Sequence, residues 1–162
     1  MGTTYGLEIF DYKSGVYERR LEDKNDDMIL RGENIRCLHK DSENNIWVGT
    51  YNSGLRCCIY EDGFNRYTSD GQPNSLRGSS IRAICNGPGN EIYTGSAEGF
   101  LCRFDPEKNV FTDLTVKAGI PYGSTITDID FFDGLLWIST DISGVFVFDP
   151  ARQESVRHYQ IP

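Results

Sequence analysis

The chain has only two histidines, His39 and His158. They fall in strand patterns of different units, so a shared metal ion or a histidine pair is not expected. Each reads as an ordinary surface or half-buried side chain. No run of 18 apolar residues exists, so no membrane-spanning helix is expected. Met1 is followed at once by Gly2, Thr3 and a strand pattern, so no signal peptide is expected at this start. The five cysteines, Cys37, Cys57, Cys58, Cys85 and Cys102, are odd in number and contain no C-x-x-C pair, which makes a poor disulfide framework. They read instead as small buried hydrophobes in strands. Cys57 and Cys58, being adjacent, point to opposite faces of one strand. Basic residues are outnumbered 24 to 16, for a net charge of −8. That field repels phosphate backbones and argues against nucleic acid or an anionic membrane surface as a partner.

Catalytic signatures are missing too. Gly95-Ser96-Ala97-Glu98-Gly99 does not fit the nucleophile elbow G-x-S-x-G. Gly87-Pro88-Gly89 is a turn without the following helix that a phosphate loop requires. Asp128, Asp130 and Asp133 lack the later bidentate Glu of a calcium loop, and Ile129, Phe131 and Phe132 run through them as a strand. The expectation is a non-catalytic chain with no cofactor and no metal site.

What the chain has is repetition. Ile46-Trp47-Val48-Gly49-Thr50, Ile92-Tyr93-Thr94-Gly95-Ser96 and Leu136-Trp137-Ile138-Ser139-Thr140 share one pattern. Trp47 lies 46 residues before Tyr93, which lies 44 before Trp137. A period near 45 with four strands per unit is the signature of a β-propeller blade. Strand patterns cover 35–39, 45–50, 55–60 and 64–68 in one unit. They cover 81–86, 91–96, 99–105 and 110–114 in the next, and 126–132, 135–140, 145–149 and 155–159 in the last. Turn signals such as Asp62-Gly63 and Asp133-Gly134 separate them, as an antiparallel all-β fold demands. The first unit holds only third and fourth strands, with Gly2-Thr3 as the tail of a second. The expected division is a half blade over 1–33 and blades over 34–79, 80–124 and 125–162. That is an all-β, partial propeller of about three and a half blades and fourteen strands. Arrays without caps expose apolar surface at both ends, so self-association, or the remainder of a longer propeller, is the expected partner.

The segment 35–55, IRCLHKDSENNIWVGTYNSGL, resembles the two-component regulator propeller repeat. Weaker copies run over 76–105, with Tyr93 in place of Trp, and over 126–150, with Ser139 in place of Gly. The resemblance implies the propeller half of a bacterial hybrid two-component sensor. It implies a location in the periplasm, recognition of oligosaccharides, and a histidine kinase elsewhere in the parent. The alternatives are a cytoplasmic scaffold propeller that binds proteins, or a propeller lyase or glycosidase.

In a propeller, the loops between the fourth and first strands share a face with those between the second and third. Here these are 22–34, 69–80 and 114–125, with 51–53, 97–98 and 141–143. They bring planar polar and aromatic groups to one face: Tyr51, Asn52, Arg31, Arg77, Glu98, Tyr122 and Asp141. Sugars need such groups, because hydroxyls want fixed partners while the ring's C–H face stacks on an aromatic. The ligand-binding residues expected are Tyr51, Asn52, Arg77, Glu98, Tyr122 and Asp141. Arg31 and Arg77 recur in a repeated Leu-Arg-Gly, which gives them a competing structural reading. Trp47, Tyr93 and Trp137 recur at one register, which argues for packing between blades rather than an exposed sugar platform.

Overall fold

The computed structural model describes residues 1–19, 33–59 and 63–160. The Leu30-Arg31-Gly32 copy, and with it Arg31, lies outside them. The described strands form four antiparallel sheets, each laid down in chain order. The first contains β1 (Gly2–Thr3), β2 (Gly6–Asp11) and β3 (Val16–Arg19). The second contains β4 (Ile35–Lys40), β5 (Ile46–Thr50), β6 (Leu55–Ile59) and β7 (Gly63–Tyr67). β8 (Ile81–Asn86), β9 (Ile92–Ser96), β10 (Leu101–Asp105) and β11 (Val110–Asp113) make the third. β12 (Ile126–Phe132), β13 (Leu135–Thr140), β14 (Val145–Asp149) and β15 (Glu154–Tyr159) make the fourth. β4, β8 and β12, the first strands of consecutive full sheets, adjoin one another, and β1 adjoins β4. These are the blades of a β-propeller segment.

The structure differs from the sequence reading in its strand count, in one loop and in the exposure of Trp137. Gly2 pairs with Leu7 and Thr3 with Gly6, so the expected strand tail is a strand in its own right and the described residues hold fifteen strands. The expected loop over 114–125 begins with a helical turn, α1 (Thr115–Ala118). The Asp113 carboxylate starts it by accepting the Thr115 N–H at 2.9 Å and hydroxyl at 2.6 Å. Gly119, in the left-handed region at φ 74°, ends it.

The core lies between sheets rather than within them. Leu7, Ile35 and Val48 form a cluster where the first sheet meets the second. Trp47, Leu55, Ile81, Cys102, Phe104 and Phe111 fill the junction of second and third. Tyr93, Ile126, Ile129, Leu136, Phe146 and Phe148 fill that of third and fourth. Trp47 packs edge-on against Phe104 of the next sheet with ring centres 5.4 Å apart, and its indole N–H donates to Asp41 at 2.8 Å. Tyr93 is fully buried, and its hydroxyl donates to Glu91 at 2.9 Å. Both therefore pack between blades, as their repetition suggests. Trp137, at the same register, faces no further sheet among the described residues and is 36% exposed.

One close approach recurs at each junction. A Cβ added at Gly49 would lie 3.0 Å from Ile81 Cγ2 and 2.4 Å from Cys37 Sγ. At Gly95 it would lie 2.3 Å from Ile126 Cγ2, and at Gly2, 2.4 Å from Ile35 Cγ2. The second strand of each sheet thus needs a residue without a side chain where the next sheet inserts the first isoleucine of its own first strand. Ser139 occupies this register in the fourth sheet, where no sheet follows among the described residues.

Cys57, Cys85 and Cys102 are buried, and Cys37 and Cys58 are half-buried. Burial pushes the thiols of Cys37, Cys57, Cys85 and Cys102 up to about 12, so they stay protonated and pack as apolar groups.

Gly95→Ala should destabilise the fold by about 1–3 kcal/mol through overpacking against Ile126. Ser139→Ala should stay within about 0.5 kcal/mol of the parent. Equal effects in urea denaturation would contradict the junction geometry. Trp47→Ala should cost about 3–5 kcal/mol, as loss of a large buried aromatic does; a cost under about 1 kcal/mol would mean that the indole is not held between sheets.

Candidate functional site

The loops between second and third strands meet those that precede the first strands through a repeated backbone bond. The N–H of Tyr51 donates to Asn34 at 2.9 Å, that of Ala97 to Ser80 at 2.8 Å, and that of Asp141 to Thr125 at 3.0 Å. Neighbouring sheets are tied at the same end. Gly54 N–H donates to Ser79 at 2.9 Å, and the Thr125 hydroxyl to Ala97 at 3.0 Å. Side-chain hydroxyls brace the tight loops: Thr50 and Thr140 each donate to the carbonyl four residues on, at 2.8 Å, while accepting the N–H of Ser53 and Ser143. At this end of the molecule the described loops form one hydrogen-bonded face.

All six residues expected on this face are partly or fully open to solvent. Tyr51 is exposed, and the Arg36 guanidinium sits 4.6 Å from its ring centre. Asn52 and Asp141 are exposed at the tips of their loops. Tyr122 is 90% exposed, with its ring edge-on to Phe100 at 6.4 Å. Arg77 is half-buried, between buried Leu76 and Gly78.

Glu98 is the sixth, and it is a brace. Its Oε1 accepts the N–H of Ser79 at 3.0 Å, the Ser79 hydroxyl at 3.0 Å and the N–H of Ser80 at 3.2 Å. Burial raises its pKa; hydrogen bonds to the charged form, the Ser79 N–H first among them, together outweigh this and hold the carboxyl below the ordinary glutamate value. Gly78, at φ +81°, makes room for it, since a Cβ there would meet Ser96 Oγ at 2.5 Å and Glu98 Oε2 at 2.9 Å. Arg56 anchors another loop of this face. It is buried on β6 and reaches Glu33 at 2.8 Å.

Two residues that the sequence reading passed over belong to this face. Each full sheet carries a β-bulge at the second residue of its first strand: Arg36, Arg82 and Thr127 are the extra residues, between Ile35 and Cys37, Ile81 and Ala83, and Ile126 and Asp128. A bulge re-aims a side chain out of the pleat, and all three are exposed beside the loop face. The signal available in the sequence was an arginine directly after the first isoleucine of two successive first strands.

A cavity lies at the other end, between the second and third sheets. It holds about 460 Å³ and is lined by Asp41, Asn65, Tyr67, Asn90 and Asn109 over Trp47. The Asp41 carboxylate is spent there on the indole, the Asn45 amide and the turn N–H groups of Glu43 and Asn45. His39 and His158 stand on different sheets; His158 stacks on Phe146 at 4.0 Å.

Residues 29–52 match the family model described as the two component regulator propeller. That stretch is similar to one two component regulator propeller repeat. Solved structures extend the likeness over the whole segment. The extracellular domain of the hybrid two component system BT4673 from B. thetaiotaomicron aligns with a TM-score of 0.75 and 20% identity, covering 99% of this chain and 21% of that one. The corresponding domain of BT3049 from the same organism gives 0.76 and 18%, covering 98% and 22%. A computationally designed protein, Ika8, gives 0.65 and 14%, covering 98% of this chain and 45% of that one. A search of curated proteins gives no match. At these identities the structural likeness establishes the fold. The segment spans about a fifth of the length of the two component system chains it matches.

Glu98→Gln should lower stability at neutral pH by about 1–2 kcal/mol, since three hydrogen bonds lose their charged acceptor. A carboxyl whose folded pKa is depressed contributes fully above its unfolded pKa and loses that contribution as pH falls through the folded value. The variant should therefore show a flatter decline of melting temperature below the ordinary glutamate range. Parallel acid profiles would show that Glu98 holds nothing together.

Proposed function

We propose that this chain is a non-catalytic, ligand-binding portion of an extracellular sensor propeller, located in the periplasm and anchored through the rest of its parent. Its ligand is an oligosaccharide bound on the loop face. The observation that carries this reading is the pairing of exposed aromatic faces, Tyr51 and Tyr122, with planar polar groups on hydrogen-bonded loops. A sugar ring stacks its C–H face on such an aromatic while Asn52, Asp141 and Arg77 meet its hydroxyls. The bulged Arg36 and Arg82 add fixed donors beside them. The likeness to extracellular domains of hybrid two component systems supports both the sensory role and the location. The parent then carries the signal inward through a segment beyond this one.

A protein ligand is the second reading, favoured by exposed Tyr122 and Ile142 on loops of the same face. Titration calorimetry of the chain against a panel of neutral oligosaccharides separates the two. The sugar reading expects saturable binding that Tyr51→Ala and Tyr122→Ala each weaken about tenfold or more, with melting temperature unchanged. Binding that ignores both substitutions, or no binding across the panel, would contradict it. A ligand lost on Ile142→Asp, with every sugar inert, would establish the protein reading in its place.

A further inference from the structure

The cavity over Trp47 continues along β7. A second hollow of about 210 Å³ adjoins it and shares Arg66, Tyr67 and Asn109 as lining. Together they form one groove with the second sheet on one side and the third on the other. At about 460 Å³ the first hollow alone is of the size that holds a small ligand. Its floor is fixed in place. The Tyr67 ring lies against Trp47, Phe104 and Phe111, with ring centres 6.0, 4.9 and 5.3 Å away. Asn65 stands two residues before Tyr67 on β7, so both side chains share the face that meets the third sheet. Asn109, in the turn before β11, faces them from the other wall.

The carboxylates around this groove are taken up by the protein. Asp41 serves the indole and its own turn. Glu43 accepts the Asn90 amide at 2.7 Å, and the Asn90 carbonyl accepts the Ser42 hydroxyl at 3.1 Å. Asp70 accepts the Gln72 N–H at 3.0 Å. By contrast, the side-chain amides of Asn65 and Asn109 and the hydroxyl of Tyr67 make no hydrogen bond among the described residues. An amide offers two donors and an acceptor, and a phenol offers one donor and can accept. The lining's charge narrows the class of ligand further. Asp41, Glu43 and Asp70 against Arg66 repel an anion, and carboxylates already spent on the fold leave little to pair with a cation.

We infer that this groove binds a neutral mono- or disaccharide, held by Asn65, Tyr67 and Asn109. Sugar hydroxyls both donate and accept, as the two amides and the phenol do. The C–H face of the sugar ring rests on the apolar lining that Tyr67 and Pro106 supply. A ligand there touches β7 of the second sheet and the turn before β11 of the third, so it bridges two neighbouring sheets. The site lies at the end opposite the loop face and is independent of any ligand bound on that face.

Heteronuclear NMR of the 162-residue chain tests it, following the side-chain amides of Asn65, Asn109 and Asn52. The titrants are glucose, galactose, mannose, xylose, N-acetylglucosamine, cellobiose and lactose. At least one should shift Asn65 and Asn109 saturably while leaving Asn52, on the loop face, in place. Tyr67→Phe and Asn109→Gly should each weaken that binding about threefold to tenfold, as loss of one hydrogen bond does. Tyr67→Phe keeps the ring, and Asn109 sits at φ 54°, which glycine adopts freely, so both variants should keep the parent's spectrum elsewhere. Asn65 and Asn109 signals that ignore every sugar, or that move without saturating, overturn the inference. Movement of Asn52 alone overturns it as well, while supporting a ligand on the loop face. Saturable shifts that neither substitution weakens overturn the assignment to these residues.

Discussion

The architecture depends on how closely one sheet can approach the next. At each internal junction a glycine on the second strand leaves a gap that the first isoleucine of the following sheet fills, with Cβ-to-Cγ2 separations of 2.3–3.0 Å if a methyl were added. This contact sets the spacing at the inner edge. An aromatic, Trp47 or Tyr93, fills the wider space further out and is capped by a phenylalanine from the next sheet. The wedge shape that lets sheets fan around an axis is built from these two side-chain sizes: nothing on the inside, a ring on the outside. Sheets of four strands with an apolar face on each side cannot satisfy both faces alone, so the fold is a chain of nearest-neighbour junctions.

The loop face is held together at the same junctions. The residue after each second strand donates its N–H to the residue before the first strand of the same sheet, and further bonds reach the neighbouring sheet. Loops tied this way present Tyr51, Asn52, Tyr122 and Asp141 without having to order themselves around a ligand, which lowers the entropic cost of binding. Glu98 belongs to the framework of that face, and Arg56 anchors it from below through Glu33.

Most of the fold was legible because glycine, turn residues and aromatics recur at one period, and strand boundaries fell within a residue or two of the pattern. Burial of Trp47 and Tyr93 followed from repetition alone. What was not legible depends on local geometry that a single copy of the repeat does not advertise. The bulges at Arg36 and Arg82 break the alternation of side chains that a period of two assumes, so their outward aim appears only in the register. The helical turn at Thr115–Ala118 is too short for a helical period and rests on one Asp113 carboxylate. Glu98 reads as a ligand residue because it is a planar polar group in a loop of that face; its partners include backbone N–H groups of a distant loop. Trp137 shares its register with Trp47 yet differs in exposure, because burial at this position is conferred by the neighbouring sheet.

The measurement that bears most directly on the account is a double-mutant cycle at one junction, combining Gly95→Ala with Ile126→Ala and reading stability by urea denaturation. If the isoleucine occupies the space that the glycine leaves, shortening it makes room for the added methyl. The two losses should then sum to about 1 kcal/mol or more above the loss of the double variant. Losses that add within about 0.3–0.5 kcal/mol would show that the two residues do not meet, and the nearest-neighbour packing described above would be wrong.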